Sequence, residues 1–303
     1  MPRFYGLKEL EAPRYADAAG LEDVSADPGV PYILKTFGLI ACEDRDDRGV
    51  GKAALTVLKG DIDHLGLIFQ QGLSCSKEKR YANFAKMAGL SRQLNEFFTV
   101  YLPQLCAEEF PDTYTVYAGG DDFFLIGPWH SVQKLATVLQ AAFARYVANE
   151  DIHFSAGMIM VKPGIPLRTL AELSEEALRQ AKASGRNAVT CLQQTMPWTT
   201  WGELQGIEGG LRAEKDRFDL SSGYFYSLFG LLDMANRKKS PEAQMWRSRL
   251  YYKTVRMAQA QAQASSDKAH LTGEFLPELA KAIEKYGAAM RVPLSNMFYQ
   301  MRK

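Results

Sequence analysis

Two β-rich runs joined by a glycine-led turn most restrict the folds open to this chain. The runs are TYTVYA at 113–118 and DFFLI at 122–126, and the sequence GGD occupies 119–121 between them. β-Branched and aromatic residues favour strands, and so short a glycine-led connection favours a tight hairpin. The sequence therefore predicts an antiparallel hairpin with two adjacent acids, Asp121 and Asp122, in its turn region.

Strand and helix patterns alternate on both sides of this hairpin. Apolar residues spaced three or four apart predict helices, and short apolar runs rich in β-branched residues predict strands. The predicted elements are a strand at 53–60, a helix from Asn83 to Leu105 kinked near Pro103, the hairpin, a helix at 132–146, a strand at 152–161, a helix at 168–184 closed by Gly185, and a strand at 187–192. This is the split β-α-β-β-α-β order of a ferredoxin-like fold, followed by one more helix and strand.

The rest of the chain predicts two further segments. After Trp201 the pattern is helical with almost no strand signal, over 218–236, 241–264, 274–290 and 294–302. We therefore predict the α+β class, with an N-terminal lead-in over 1–50, a ferredoxin-like domain over 51–195 and an all-α domain over 200–303. The charged runs at 43–49 and 75–80 predict exposed loops.

Composition narrows the class of protein. The chain has 303 residues, of which 47% are hydrophobic and 23% charged, as in ordinary globular proteins. No apolar run reaches the roughly 18 residues of a membrane-spanning helix, and the N-terminus lacks the apolar core of a secretory signal. The widely spaced cysteines show no metal-site or redox motif, and they are Cys42, Cys75, Cys106 and Cys191. We therefore expect a cytoplasmic protein with reduced thiols and no membrane contact.

Charge is unevenly distributed along the chain. Residues 1–200 hold 20 Lys and Arg against 24 Asp and Glu, whereas residues 201–303 hold 16 against 11. A basic C-terminal third favours an RNA or an acidic protein as its partner. The alternative is an ordinary solvated face.

Three acids lie at positions that the predicted sheet brings together. Asp61 ends the first strand, and Asp121 and Asp122 lie in the hairpin. The first strand and the hairpin are neighbours in the split arrangement, so these carboxylates should converge on one rim. Carboxylate oxygens suit Mg²⁺, and two such ions can activate a 3′-hydroxyl and stabilise a leaving pyrophosphate. Gly119 and Gly120 allow the tight turn and leave room for a nucleotide.

Two further features suit the phosphates of a nucleotide. The sequence DIDHLG at 61–66 sets a strand end against a helix start, where free backbone N–H groups can bind a triphosphate. Arg179, Lys182 and Arg186 are spaced to share one helical face, either to clamp phosphates or as a solvated basic stripe. We expect Asp63 to turn outward, because residues of an extended segment alternate between its two sides.

Four segments resemble the nucleotidyl-cyclase palm superfamily. They are DIDHLG (61–66), YAGGDDFFLIGP (117–128), FSAGMIM (154–160) and EEALRQAKASGRNAV (175–189). This superfamily includes the diguanylate cyclases, with their GGDEF hairpin, and the polymerase-like large subunit of type III CRISPR effector complexes. The resemblance implies that the ferredoxin-like domain is a palm of the βαββαβ type with a GGDD motif.

The chain departs from the diguanylate cyclases at two places. Their motif ends in Glu-Phe where this chain has Asp122 and Phe123, and Phe69 stands where they carry a guanine-reading Asn. Other segments are similar instead to the CRISPR large subunit, most of all its subtype III-A form. These are VPYILKTFGLIA (30–41) in the lead-in, LKGDIDHLGLIF (58–69) and LSRQLNEFF (90–98) in the second palm, and PLSNMFYQMR (293–302) in the C-terminal helical domain.

This resemblance implies that ATP is condensed into cyclic oligoadenylates, which act as second messengers, when the complex holds a matching target RNA. The implied ligands of Mg²⁺ or Mn²⁺ are Asp61, the Ile62 carbonyl, Asp121 and Asp122, and the implied catalytic motif is Gly119, Gly120, Asp121 and Asp122. The implied nucleotide-binding residues are Ile62, His64, Leu65 and Gly66 where the strand meets the helix, Ser91 at the adenine edge, Ser155 in the base pocket, and Lys182 and Arg186 at the triphosphate.

The resemblance also implies partners, because the family's active pocket forms between two palms. A separate chain carrying the first palm, or a second copy of this chain, would complete the pocket. Small helical subunits, backbone subunits, guide RNA and target RNA would be the other partners. Two alternatives stay open at this point, a non-catalytic assembly subunit of the same complex and a stand-alone cyclase of the diguanylate type.

Overall fold

The computed structural model describes residues 4–6, 12–16, 18, 32–72, 84–237, 243–261 and 264–302. The chain divides into two compact units. Met1–Gly49 and Ala53–Trp198 form the first, and Val50–Lys52 and Thr199–Lys303 form the second. The expected loop at 75–80 and the start of the expected helix at Asn83 lie outside the described residues.

Two sheets lie in the described part of the first unit. Strands β1 (Phe4–Gly6) and β2 (Tyr32–Leu34) pair antiparallel in a small sheet. The other six strands form one mixed sheet in the order β4-β5-β3-β6-β7-β8, in which only β6 and β7 are parallel. Their bounds are β3 Leu55–Ile62, β4 Tyr114–Gly119, β5 Asp122–Pro128, β6 Phe154–Val161, β7 Ala188–Cys191 and β8 Gln194–Pro197.

Helices alternate with these strands as the sequence predicts. Their bounds are α1 Phe37–Ile40, α2 Leu65–Leu67, α3 Phe84–Glu96, α4 Leu102–Glu109, α5 Trp129–Val147 and α6 Leu167–Ala183. A π-helical turn follows α2 at Ile68–Gly72, and another joins α3 to α4 at Phe97–Tyr101. The predicted α+β class and the β-α-β-β-α-β order are therefore confirmed.

Strands β4 and β5 form the predicted hairpin. Gly119 pairs with Asp122, so the turn consists of Gly120 and Asp121 alone. Gly120 has a φ of +66°, in the left-handed region that glycine reaches without a Cβ clash. Because β5 pairs with the central strand β3 along its whole length, the turn lies beside the end of β3.

An aromatic cluster fills the core on one face of the sheet, beneath the α3–α4 segment and α5. The Phe98 ring stacks on Phe123 at 5.3 Å between centroids, and Phe143 packs edge-on against Phe154 at 5.4 Å. The Phe123 ring also covers Gly60, where a Cβ would lie only 2.2 Å from a ring carbon. The strand therefore has no room for a side chain at the residue before Asp61.

Helix α6 covers the opposite face and lies unusually close to it. A Cβ on Gly157 of β6 would lie 2.4 Å from the main-chain nitrogen of Leu178. Beneath the helix, Leu170 packs in a core with Val57 and Ile126. This close contact brings the later turns of α6 over the end of β3.

The irregularity predicted near Pro103 is present as a π-helical turn at Phe97–Tyr101, which ends two residues before the proline. Pro103 itself lies in the first turn of α4. Strand β8 was not predicted, because Leu192 and Gln193 form its hairpin turn. Their φ angles are +49° and +62°, a conformation usually supplied by Asn and Gly. The sequence therefore carries no turn signal there.

The charged run at 43–49 is not simply an exposed loop. The Asp44 carboxylate accepts hydrogen bonds from the main-chain N–H groups of His130 at 2.6 Å and Ser131 at 3.1 Å. It also accepts one from the Ser131 hydroxyl at 2.6 Å. Asp44 thus satisfies N–H groups in the first turn of α5, as a capping residue would.

All described elements of the second unit are helices, as predicted. The bounds are α7 Trp198–Phe218, α8 Ser222–Asn236, α9 Trp246–Gln261, α10 Ser265–His270, α11 Leu276–Tyr286 and α12 Arg291–Gln300. Glu208 of α7 is buried and accepts a hydrogen bond from Asn296 of α12 at 2.6 Å. In the described residues, no helix combines the length and hydrophobicity needed to span a membrane.

Candidate nucleotide and metal site

Antiparallel pairing brings the three candidate acids to one rim of the sheet. Asp61 of β3 lies directly opposite Asp122 of β5. Side chains of directly opposed residues lie on the same face, with Cβ atoms about 4.5–5.5 Å apart. The main-chain N–H of Ile62 donates to the Asp121 carbonyl at 2.9 Å, which holds the turn against the end of β3.

Two residues that sequence reasoning missed hold the hairpin turn. The side-chain oxygen of Asn95, on α3, accepts from the Gly120 N–H at 2.8 Å. The Tyr117 hydroxyl donates to the Gly119 carbonyl at 3.0 Å. The negative charge of Asp122 is the main reason that the pKa of Tyr117 is raised. Asn95 lies within the segment 90–98 that carried part of the resemblance, and this was the only sequence signal for it.

Two ion pairs join β3 to α6. In one the cation lies on the strand, and in the other it lies on the helix. The Lys59 ammonium lies 2.6 Å from a Glu175 carboxylate oxygen, and the Lys182 ammonium contacts the Asp61 carboxylate. Because each element contributes one cation and one anion to these two pairs, a helix packed the other way round would place like charges together. Sequence reasoning had not identified Lys59 or Glu175.

The environment of Asp61 disfavours its charged form. Partial burial is the largest cause of its raised pKa, and the charges of Asp121 and Asp122 act in the same direction. The hydrogen bond and charge of Lys182 oppose them. Carboxylates crowded in this way gain more from a bound cation than isolated ones do.

Asp63 points inward, so the expectation that it turns outward is wrong. Its buried carboxylate accepts from His153 Nδ1 at 2.7 Å and from the main-chain N–H of Asn187 at 3.0 Å. The strand ends at Ile62, and His64 has a φ of +56°. The alternation of an extended segment therefore no longer applies at this position.

Ser155 belongs to the same buried cluster. Its hydroxyl donates to both Asp63 carboxylate oxygens, at 2.8 and 2.9 Å, and its side chain is fully buried. The expectation that Ser155 lines a base pocket is therefore wrong. Together Asp63, His153, Ser155 and Asn187 join the end of β3, the start of β6 and the approach to β7.

The predicted cationic stripe is also wrong, because only one of its three members both lies on the helix and reaches the acids. Lys182 contacts Asp61, whereas Arg179 is exposed and pairs with Glu176 at 2.7 Å. Helix α6 ends at Ala183, so Arg186 lies in the following loop, with a φ of +67°. In the part of the chain that the structure describes, no acid pairs with Arg186.

The remaining predicted residues lie around the open side of the rim. His64 and Gly66 are exposed and Leu65 is half-buried, at the start of the single turn α2. Ser91 is exposed on α3, one turn before Asn95 and so on the same helical face.

The donor atoms at this rim suit a hard divalent cation. Among the described residues, no three His, Cys, Asp or Glu side chains are gathered as a complete metal site. Asp61, Asp122 and the neighbouring main-chain carbonyls nevertheless supply the oxygen ligands that Mg²⁺ and Mn²⁺ prefer. Mg²⁺ commonly takes only one or two protein carboxylates and completes its shell with water and phosphate.

A ferredoxin-like sheet with carboxylates at the end of its central strand and in the adjoining hairpin defines a palm of the nucleotidyl-cyclase type. Residues 54–190 match the family model for the second palm domain of Cas10/Cmr2. The palm domain of this chain is therefore similar to the second palm domain of Cas10/Cmr2 proteins.

The relatives that match are Cas10/Csm1 proteins of subtype III-A, named as CRISPR system single-strand-specific deoxyribonucleases. The Methanocaldococcus jannaschii protein is 35% identical over 196 residues, which cover 54% of this chain and 24% of the relative. The Enterococcus italicus protein is 34% identical over 159 residues, which cover 52% of this chain and 20% of the relative. The chain spans about a quarter or less of the length of these relatives.

Solved structures of Csm1 share the fold. Csm1 of T. onnurineus superposes with a TM-score of 0.66 at 22% identity, covering 90% of this chain and 40% of that chain. A Csm1-Csm4 cassette in complex with one ATP gives a TM-score of 0.63 at 22% identity, covering 91% of this chain and 39% of that chain. A further cassette is in complex with cA3.

Proposed function

We propose that this chain is the second-palm part of a type III-A CRISPR large subunit, and that its palm binds ATP for synthesis of cyclic oligoadenylates. The observation that carries this proposal is the pairing of Asp61 with Asp122 beside Lys182. Related Csm1 cassettes bound to ATP and to cA3 support the choice of nucleotide.

The acidic and the basic residues of the site have different proposed roles. Asp61, Asp121, Asp122 and the Ile62 carbonyl would hold Mg²⁺ or Mn²⁺. The bound ion would neutralise phosphate charge and lower the pKa of the attacking 3′-hydroxyl. Gly120 and Asp121 form a turn fixed by Asn95, so the carboxylates stay in place without reorganisation when substrate arrives.

Lys182 and Arg186 would hold the triphosphate. Lys182 already lies at the carboxylate rim, and a phosphate oxygen can replace Asp61 as its partner once a metal ion takes the carboxylate. Arg186 is held in an uncommon left-handed conformation in a loop that Asp63 fixes through Asn187. Retained backbone strain of this kind often accompanies a functional role.

Ser91 is the proposed contact to the adenine edge. It lies on the exposed side of α3, one turn from the residue that holds the hairpin turn. Phe69 offers no amide with which to read guanine, which supports ATP over GTP as the substrate.

The site is open on the side that a second palm would cover. Residues 85–93 of α3 are all exposed or half-exposed, and Leu94 is the first buried residue among those whose side chains are described. Large apolar side chains stand exposed around it at Leu67, Met87 and Val100. An uncovered helix surface, with large apolar side chains exposed on it and on the neighbouring elements, is typical of an interaction site. We propose that the first palm, on another chain or segment, or a second copy of this chain, packs there.

Labelled ATP tests the proposal. The chain is incubated with ATP and Mg²⁺ or Mn²⁺, first alone and then with the other type III-A subunits, guide RNA and target RNA, and the products are resolved. We expect cyclic oligoadenylates from ATP in the assembled, target-bound reaction, and none from GTP.

Two double variants make this test specific to the site. Asp121→Asn with Asp122→Asn should abolish synthesis while assembly persists. The control is Glu108→Gln with Glu109→Gln, which also neutralises two acids that are consecutive in the sequence. These two lie at the end of α4 and outside the proposed site, so the control should leave synthesis intact. Synthesis by the Asp121/Asp122 variant would refute the catalytic assignment. If no wild-type reaction gives product, a non-catalytic assembly role is favoured. If product forms from GTP but not from ATP, a cyclase of the diguanylate type is favoured.

A further inference from the structure

The positive charge of the C-terminal third is concentrated in one short stretch. Residues 237–256 contain seven Lys and Arg and one acid, Glu242, whereas the rest of 201–303 contains nine Lys and Arg against ten acids. Helix α9 carries four of these cations and no acid. The excess of positive charge is therefore concentrated in the sequence from the end of α8 through α9 and is not spread evenly over the helical unit.

Helix α9 buries one face and leaves the other to solvent. Trp246, Leu250, Thr254, Met257 and Ala258 are buried at helical spacing. The exposed side carries two neighbouring tyrosines, Tyr251 and Tyr252, which are 58% and 59% exposed. Both rings lie among the cations of this helix. We give the name α9 surface to the exposed residues Arg247, Arg249, Tyr251, Tyr252 and Arg256 together with the half-buried Lys253.

Most cations of the α9 surface are not neutralised. Within the described residues, only Arg247 forms an ion pair, with Glu284 of α11. The Arg256 guanidinium lies 5.6 Å from the Tyr252 ring centre, and Arg249 contacts the sulfur of Met234 at 3.5 Å. These contacts orient the guanidinium groups without cancelling their charge, so the surface retains its attraction for an anion.

An apolar groove adjoins Tyr251. It has a volume of about 410 Å³ and lies between α9 and α11, within the size range of small-ligand pockets, about 300–1,000 Å³. Its lining includes Leu250, Leu276, Pro277 and Ala280, with Arg247 at the margin. A flat aromatic group can therefore stack on Tyr251 and extend into the groove. A phosphate attached to that group would then lie beside Arg247.

We propose that the α9 surface binds single-stranded RNA. Positive charge that tracks a backbone, combined with exposed aromatic rings for stacking, is the usual way proteins hold single strands. A duplex keeps its bases stacked internally and would make no use of the two tyrosines. An acidic protein would match the cations but would not supply a row of flat bases to stack on the two tyrosines. The choice of RNA rests on the proposed function, and the binding itself does not require the palm to be active.

Direct binding to the full chain tests this inference. Fluorescence anisotropy with a labelled single-stranded RNA of about 20 nucleotides measures affinity over a range of salt. We expect Arg249→Gln, Lys253→Gln and Arg256→Gln together to reduce the negative slope of log K against log salt by about 2, at roughly 0.7 per phosphate. Tyr251→Ala with Tyr252→Ala should weaken binding about tenfold or more at every salt concentration, since stacking does not depend on salt.

A charge-matched control separates this surface from general basicity. Lys134→Gln, Lys162→Gln and Lys268→Gln remove three exposed charges elsewhere and should change affinity less than twofold. Equal weakening by the control, or unchanged binding by both α9 variants with normal melting curves, would overturn the inference. Tighter binding of a single-stranded DNA of the same sequence would overturn the choice of RNA. Loss of a protein partner with RNA affinity unchanged would reassign the surface to protein docking.

The Asp121/Asp122 double variant distinguishes this inference from the proposed function. It removes synthesis if the palm is catalytic and should leave RNA affinity of the α9 surface unchanged. A failure of synthesis with intact RNA binding therefore concerns the palm alone, and the reverse result concerns α9 alone.

Discussion

The buried carboxylate of Asp63 accepts a hydrogen bond at 3.0 Å from the main-chain N–H of Asn187, a residue 124 positions further along the chain. Asn187 directly follows Arg186, and both have positive φ angles. The bond therefore ties the end of β3, which carries Asp61, to the loop that presents Arg186. Asp63 acts as a positioning residue for the proposed triphosphate site.

Replacing Asp63 by Asn should disturb this loop, although the two side chains have nearly the same size. An amide keeps one acceptor oxygen but adds an N–H₂ group that cannot accept from His153 or Ser155. We expect a loss of about 1–3 kcal/mol in the free energy of unfolding, measured by urea denaturation. We also expect KM for ATP to rise more than kcat falls. A variant with unchanged ATP affinity would limit Asp63 to a purely structural role.

Lys182 and Arg179 provide a matched pair on one helix. Lys182 contacts Asp61, whereas Arg179 pairs with Glu176 away from the acids. A hydrogen bond to a charged group contributes about 1.5–3 kcal/mol, so Lys182→Gln should raise KM for ATP about tenfold or more. Arg179→Gln should change it less than twofold. Similar effects of the two substitutions would remove the distinction between a phosphate-binding residue and general positive charge.

Two glycines should respond oppositely to alanine. A Cβ on Gly206, in α7, meets open space, whereas a Cβ on Gly157 would meet the backbone of α6 at 2.4 Å. Glycine in a helix costs about 0.5–1 kcal/mol relative to alanine, so Gly206→Ala should raise the melting temperature. Gly157→Ala should lower it and loosen α6 from the sheet. A thermal melt of each variant checks both signs, and a destabilised Gly206→Ala would show that something covers this side of α7.

His270 predicts a pH dependence of stability in the helical unit. Its ring nitrogens lie 2.9 Å from Glu274 and 3.0 Å from Glu214, and the hydrogen bond with Glu214 is the main reason that its pKa is raised. The folded state thus binds the proton more tightly than the unfolded state. This stabilisation is complete below the ordinary histidine pKa of about 6.5 and is lost as pH rises through the raised value.

The test compares wild type with His270→Gln in urea at a series of pH values. The difference in unfolding free energy should be largest near pH 6 and shrink as the pH is raised through 7 and 8. Its size should stay below about 1 kcal/mol, because the pairs are partly exposed to solvent. A difference that is constant with pH would mean that packing, rather than protonation, accounts for the role of His270.

Local patterns in the sequence were enough for the order of elements. The hairpin at 113–126, the apolar run before Asp61 and the amphipathic repeats of the later helices each depend on neighbouring residues, which set backbone preference and the buried face. The same locality explains the failure at β8, whose turn at Leu192 and Gln193 is held by tertiary structure against the preference of its residues. The π-helical turn at Phe97–Tyr101 lies just before Pro103, which has no N–H to donate to the carbonyl of Thr99 four residues earlier.

The sequence by itself determined the fold class of the palm, the β-α-β-β-α-β order of its elements and the convergence of Asp61 with Asp121 and Asp122, because neighbouring strands and a short turn leave few alternatives. Only the tertiary structure decided which side chains those acids meet. It turned Asp63 and Ser155 inward, moved Arg186 off the helical face, and brought Asn95 to the turn and Lys182 to Asp61. Each of these contacts joins residues at least 25 positions apart, apart from the loop geometry at Arg186. Such contacts depend on how helices pack on the sheet, and no local pattern encodes them.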